Sequence, residues 1–169
     1  MRVRDLVLGV NPFAILGISP QLDLDPKELE RRYLHLVRQA HPDHARAETD
    51  GEVVTVLSRS AALNDAYKIV RDPWSRARAL VEYLEPGALD AEKKLSPTFL
   101  AQAMELAEEV AHARGDGARH LHDRLVGDLA SAFDRLRAAF AAGKAREAAR
   151  LVHEGRYFQK ALADLEEHA

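Results

Sequence analysis

The sequence predicts an all-α protein of two helical domains joined by a short connection. Apolar residues recur at the three- and four-residue spacing of amphipathic helices, and no stretch alternates as a half-buried strand does. Two helix starts are marked by a capping side chain followed by proline, at Asp25-Pro26 and at Ser96-Pro97. Between them, Pro86 and Gly87 break the helical pattern. We therefore expect an N-terminal domain over residues 1–86, a linker over 87–95 and a C-terminal domain over 96–169.

Apolar periodicity and boundary residues place the individual helices. In the N-terminal domain we expect helices over Pro26–Ala40, over Glu52–Val70 and from Pro73 to about Leu84. In the C-terminal domain we expect helices from Pro97 to about Arg114, from about Ala118 to Ala142 and from about Ala145 to Glu167, with Gly115-Asp116-Gly117 and Gly143 as the connections. Because connections this short join antiparallel neighbours, this domain is predicted to be a three-helix coiled-coil-like bundle.

The helix over 26–40 is predicted to have one buried face and one cationic face. At about 100° per residue, its apolar side chains fall within roughly 60° of one another and form a buried stripe of Leu29, Tyr33, Leu36 and Ala40. The opposite side carries Lys27, Arg31 and Arg38. Taken alone, a charged row of this kind is most often a solvated face.

The tripeptide His41-Pro42-Asp43 directly follows this helix. Pro42 fixes its own φ and biases His41 away from the helical region, so we expect a loop that holds the Asp43 carboxylate just beyond the helix end. With its flanks ignored, the tripeptide is explained as well by an ordinary turn.

Three blocks together resemble the J-domain. They are Asn11 to Ile18, the helix with its His41-Pro42-Asp43 loop, and Leu63 to Val70 followed by Arg71-Asp72-Pro73. The resemblance implies a small helical domain whose second and third helices pack antiparallel and present the loop. It also implies binding to a DnaK-type chaperone of the seventy-kilodalton heat-shock class, with stimulation of its ATP hydrolysis. The contact residues carried over are Lys27, Arg31, Arg38, His41, Pro42 and Asp43.

The composition restricts the possible functions. The chain has 169 residues, a formal charge of −3 and no cysteine, so it can form neither a disulfide nor a thiolate metal site. We expect no cofactor and no metal, since His120 and His122 diverge on a helix. No uncharged stretch is long enough for a bilayer and no secretory signal is evident, which predicts a cytoplasmic protein. Nucleic-acid binding is not expected from the scattered cations.

Catalysis is not expected either. The sequence offers no nucleophile beside a base, no glycine-rich phosphate loop and no cluster of metal ligands. An enzyme would have little beyond His41 and Asp43 with which to work.

The first helix of the C-terminal domain carries a second candidate surface. Its core stripe is Phe99, Ala103, Leu106 and Val110. Leu100 and Met104 lie outside this stripe, next to the acidic residues Glu105 and Glu108. They form either a docking patch or part of the bundle core beneath a third helix, and the helical wheel alone favours neither.

The C-terminal domain is similar to that of the HscB co-chaperones. The similarity rests on Phe99-Leu100, Met104-Glu105-Leu106, Glu108-Glu109 and the run Arg156 to Lys160. It implies delivery of an IscU-type scaffold for iron-sulfur cluster assembly, bound through Leu100, Met104, Glu105, Glu108 and Tyr157. Ala101 departs from the enterobacterial pattern, which has a second large apolar residue there. The alternative is a generic J-domain adaptor that delivers a different client to DnaK.

Overall fold

The computed structural model describes residues 11–40 and 50–168, and within these ranges the secondary structure is entirely helical. The all-α prediction is thus confirmed. The chain divides into two compact units, residues 1–83 and 84–169. In chain order the helices are α1 (Pro12–Leu16), α2 (Pro26–Gln39), α3 (Asp50–Arg71), α4 (Pro73–Leu84), α5 (Ala88–Ala91), α6 (Pro97–His112), α7 (Gly115–Ala141) and α8 (Ala145–His168).

Side-chain caps set the beginnings of α2 and α6. The Asp25 carboxylate accepts a hydrogen bond from the Lys27 amide at 2.9 Å, and the Ser96 hydroxyl oxygen accepts one from the Phe99 amide at 3.1 Å. Each cap is followed by a proline, whose missing N–H would have had no partner inside the helix. Both starts fall where the sequence predicts them, so the angular register of both helices is also as predicted.

In the first unit, α2 and α3 pack antiparallel. The Tyr33 hydroxyl donates to the Asn64 side-chain oxygen at 2.7 Å, and the Tyr33 ring stacks on Tyr67 with centroids 4.0 Å apart. The start of α2 and the end of α3 line one small cavity of about 170 Å³. Helix α1 packs against α3, and the largest fully buried side chains among the described residues of the unit are Phe13, Leu16, Val70 and Val81.

The buried Arg76 of α4 connects distant parts of the first unit. Its guanidinium donates to the Leu22 carbonyl at 2.7 Å and to the Val70 carbonyl at 2.6 Å. Burial lowers the pKa of Arg76, and the carboxylates of Asp23 and Asp72 oppose that shift. The side chain therefore ties the chain segment that precedes α2 to the end of α3.

The second unit is a bundle in which α8 packs against both α6 and α7. Its core includes Val110, Ala118, Leu121, Leu125, Ala161 and Leu165. One predicted boundary is wrong: Gly115 to Gly117 belong to α7 and not to a connection, which consists of Ala113 and Arg114. The glycines stand in the first turn of the helix, where the amide groups have no internal partner, and Asp116 between them complements the positive end of the helix dipole and pairs with Arg119.

Residues 85–92 are held against α8 by three polar contacts, which we call the α8 clamp. Arg146 donates to Glu85 at 2.6 Å, Arg150 donates to Glu92 at 3.0 Å, and the His153 ring contacts the Leu89 carbonyl at 2.7 Å. Ala88 and Leu89 are buried in the same place. Part of the segment that the sequence assigns to a linker is therefore packed structure, while the exact domain boundaries stay a prediction.

Candidate protein-binding surfaces

The first candidate surface is the α2 row, defined as Lys27, Arg31 and Arg38. All three side chains are exposed, whereas Leu29 on the other face of α2 is buried. Among the residues that the structure describes, no carboxylate forms an ion pair with any of the three. Their positive charge is therefore available to a partner.

The predicted loop residues His41, Pro42 and Asp43 lie outside the described residues. Ala40 caps α2, its amide bonding to the Leu36 carbonyl at 2.9 Å. The role of the three residues remains a prediction.

Sequence reasoning passed over Leu34, which lies within the α2 row. This side chain is 44% exposed although it is large and apolar. The 100° rotation per residue that identified the cations also puts Leu34 between Arg31 and Arg38 on the same face. The helical wheel therefore shows that Leu34 lies on this face. Periodicity alone does not show whether an apolar side chain on a given face is exposed or buried.

The second candidate surface is the α6 patch, defined as Leu100, Met104 and Tyr157. Met104 is 68% exposed, Tyr157 41% and Leu100 40%. Val110, on the core side of α6, is buried. Of the two explanations left open by the sequence, the bundle core does not fit, because within the second unit no described helix covers Leu100 and Met104. That the patch docks a partner stays a prediction.

An aromatic contact brings Tyr157 to the start of α6. The Phe99 ring meets Tyr157 edge-on with centroids 5.6 Å apart, and it meets Phe158 similarly at 6.0 Å. Phe158 is half-buried and packs against the bundle core. Phe99 thus contacts the half-buried Phe158 on one side and the exposed Tyr157 on the other, and it holds Tyr157 beside the turn that carries Leu100.

Glu105 and Glu108 are exposed on α6 near the patch. Within the described chain neither carboxylate has an ion-pair partner, whereas the next acid, Glu109, pairs with Arg124 of α7. The Glu108 carbonyl lies 2.7 Å from Nδ1 of His112, and since a carbonyl only accepts, Nδ1 carries the proton. The two free carboxylates give the border of the patch a negative charge.

The described part of the chain thus consists of a helical J-domain unit and a three-helix bundle. This pair of units is the fold of the two-domain J-domain co-chaperones. Solved structures agree: the chaperone HscB from Vibrio cholerae has a TM-score of 0.78 at 23% identity, covering 94% of this chain and 97% of that one. Human co-chaperone protein HscB has a TM-score of 0.83 at 24% identity, covering 95% and 82%.

Sequence comparisons identify the proteins to which the chain is similar. Residues 95–166 match the family model of the HSCB C-terminal oligomerisation domain. The co-chaperone protein HscB homolog of Neisseria meningitidis is 29% identical over 156 residues, covering 88% of this chain and 92% of the relative. The homolog of Paraburkholderia phymatum is 28% identical over 164 residues, covering 94% and 93%. Residues 95–166 thus carry the HSCB C-terminal domain, and the chain as a whole is similar to the HscB co-chaperones.

None of the described helices has both the length and the apolar character needed to cross a bilayer.

Proposed function

We propose that this chain is a cytoplasmic co-chaperone that delivers an IscU-type scaffold to an HscA- or DnaK-type ATPase. The observation that carries the proposal is the exposed α6 patch on the second unit of a chain that carries the HSCB C-terminal domain. The first unit supplies the contact with the ATPase, through the α2 row and the loop at 41–43. The second unit holds the scaffold. The chain itself carries out no chemical step.

The α2 row is suited to attract an acidic partner. Helix α2 has four cations, Lys27, Arg31, Arg32 and Arg38, against two acids, although the whole chain has a net charge of −3. Arg32 is engaged with the carbonyls that end α1. The other three point their charge outward and would accelerate the encounter, an effect that weakens with salt because screening limits its range to about 8 Å at physiological ionic strength.

The α6 patch is suited to hold a protein surface. Its three large side chains offer apolar area that a partner can bury, and Met104 can adapt its shape to that partner. Glu105 and Glu108 form an acidic border, which affects the association rate more than the final affinity. A scaffold with an apolar spot among basic residues would fit this arrangement.

The cluster in this scheme is cargo. Because the chain has no cysteine, it offers no thiolate to an iron-sulfur cluster, and the scaffold would keep the ligands throughout delivery.

A titration of the chaperone's ATPase with this chain tests the proposal. The chain alone should stimulate hydrolysis, and a scaffold should increase the stimulation further. Asp43→Asn should nearly abolish both effects without changing the helical circular dichroism, because losing one member of a desolvated charge pair commonly costs about 2–5 kcal/mol. Full stimulation by this variant would refute the J-domain role. Recovery of a different client and no IscU-type protein from an extract would favour the generic adaptor.

A further inference from the structure

We infer that Leu34 is the apolar anchor of the chaperone contact on α2, with the cations of the α2 row around it. This inference rests on the proposed function and names the residue that would give the contact its salt-independent part. The occupant is the acidic surface of the chaperone's ATPase domain, with a small apolar depression opposite Leu34.

The position of Leu34 in the α2 row is the first support. At about 100° per residue, Lys27, Arg31, Leu34 and Arg38 fall within an arc of roughly 60°. Along the axis, Leu34 lies about 4.5 Å beyond Arg31 and about 6 Å before Arg38. Residues three and four apart are surface neighbours on a helix, so Leu34 is a neighbour of both Arg31 and Arg38 on this face. Any surface that contacts both arginines must also cover Leu34.

The solvent exposure of the Leu34 side chain is the second support. Leu34 is 44% exposed, while the buried stripe of α2 lies on the other face. A single exposed leucine is ordinary on a protein surface. Leu34 differs because the charges that flank it form no ion pair with the described residues. A protein surface that neutralises these charges would also remove Leu34 from water.

Charge complementarity identifies the occupant. The flanking charges of Arg31 and Arg38 favour an acidic surface and disfavour a basic one. One leucine buries too little apolar area to hold the chain on a lipid surface. A folded acidic protein surface is therefore the occupant that the row fits.

Salt dependence separates the leucine from the cations. Apolar burial is not screened by salt, whereas exposed charges are. Leu34→Ala should raise the half-maximal concentration for ATPase stimulation about fivefold at every potassium chloride concentration, leaving the salt slope and the maximal stimulation unchanged. Arg31→Ala should instead flatten the salt slope. Leu34→Met, which keeps the apolar area, should behave like wild type.

The matched control is Val126→Ala. Val126 is 46% exposed on α7 of the second unit and belongs to neither candidate surface, so this variant should leave stimulation unchanged. A Leu34→Ala chain that matches wild type, or one that only flattens the salt slope, would overturn the inference. So would binding of the wild-type chain to anionic phospholipid vesicles that depends on Leu34. A wild-type chain without any stimulation would overturn the proposed function, and this inference with it.

Discussion

Replacing Leu100 and Met104 together by alanine should separate scaffold binding from stability. Both side chains are exposed on α6, and the core of the second unit is on the other side of that helix. The double variant should therefore lose most of its affinity for an IscU-type scaffold while keeping its fold. Basal stimulation of the ATPase should remain, because no residue of the first unit is changed.

The expected loss of stability follows from exposure. Alanine in place of a fully buried leucine costs about 2–5 kcal/mol, part of which comes from the cavity left behind. At the exposed α6 patch no closed cavity forms, and alanine is the better helix former by a few tenths of a kcal/mol. We expect a total loss of about 1 kcal/mol, which for a unit of this size shifts the thermal midpoint by roughly 4–8 °C.

The expected loss of affinity is larger. Truncation of an interface anchor typically costs about 2 kcal/mol or more, which is roughly thirtyfold in Kd. The two residues lie one turn apart and share a partner surface, so their effects need not add. Titration calorimetry with the purified scaffold measures Kd, and urea denaturation of the same samples measures stability.

A core variant of the same unit, Leu125→Ala, is the reference for the loss of stability in the double variant. Leu125 is fully buried in the same unit, so Leu125→Ala should lose several kcal/mol of unfolding free energy. If the double variant resembles Leu125→Ala in stability, Leu100 and Met104 are core residues and the assignment of the α6 patch is wrong. Unchanged scaffold affinity in a stable double variant would equally refute it.

Three further outcomes are expected. Reversing the charge of Arg31 to glutamate should weaken ATPase stimulation and its salt dependence together; a titration at several salt concentrations that shows neither change would make the α2 row a solvated face. Arg76→Met should lower the unfolding free energy by roughly 3 kcal/mol, since it leaves two buried carbonyls without their donor, and urea denaturation measures this. Gly17→Ala should lower the thermal midpoint, because Gly17 has φ +61°, a conformation that is strained for a residue with a Cβ; an unchanged midpoint would contradict this cause.

The face assignments on α2 and α6 could be predicted from the sequence because both helix starts are unambiguous. Asp25-Pro26 and Ser96-Pro97 leave little freedom in the first turn, and the angular position of every later residue follows. The start of α7 was missed since two glycines are an ordinary breaker signal. Both glycines lie in the first turn of α7, where the amide groups have no partner inside the helix in any case, and a propensity that ignores position in the helix does not show this.

The exposure of the α6 patch could not be predicted in the same way. A helical wheel says which residues share a face, but not which neighbouring helices cover it. Leu100 and Met104 are exposed because α8 meets α6 through Phe99, Phe158 and the core residues, a tertiary arrangement set by residues more than fifty positions apart. The contact between Arg146 and Glu85, which are 61 residues apart, escapes sequence reasoning for the same reason.

The α8 clamp makes the folding unit longer than the segment by which the family is recognised. The family match begins at residue 95, whereas the compact unit begins at residue 84. A fragment cut at the family boundary would discard the buried Ala88 and Leu89 and leave Arg146, Arg150 and His153 without their partners. Dissection of this co-chaperone into working halves should therefore cut ahead of Leu84, so that each half keeps the contacts it folds with.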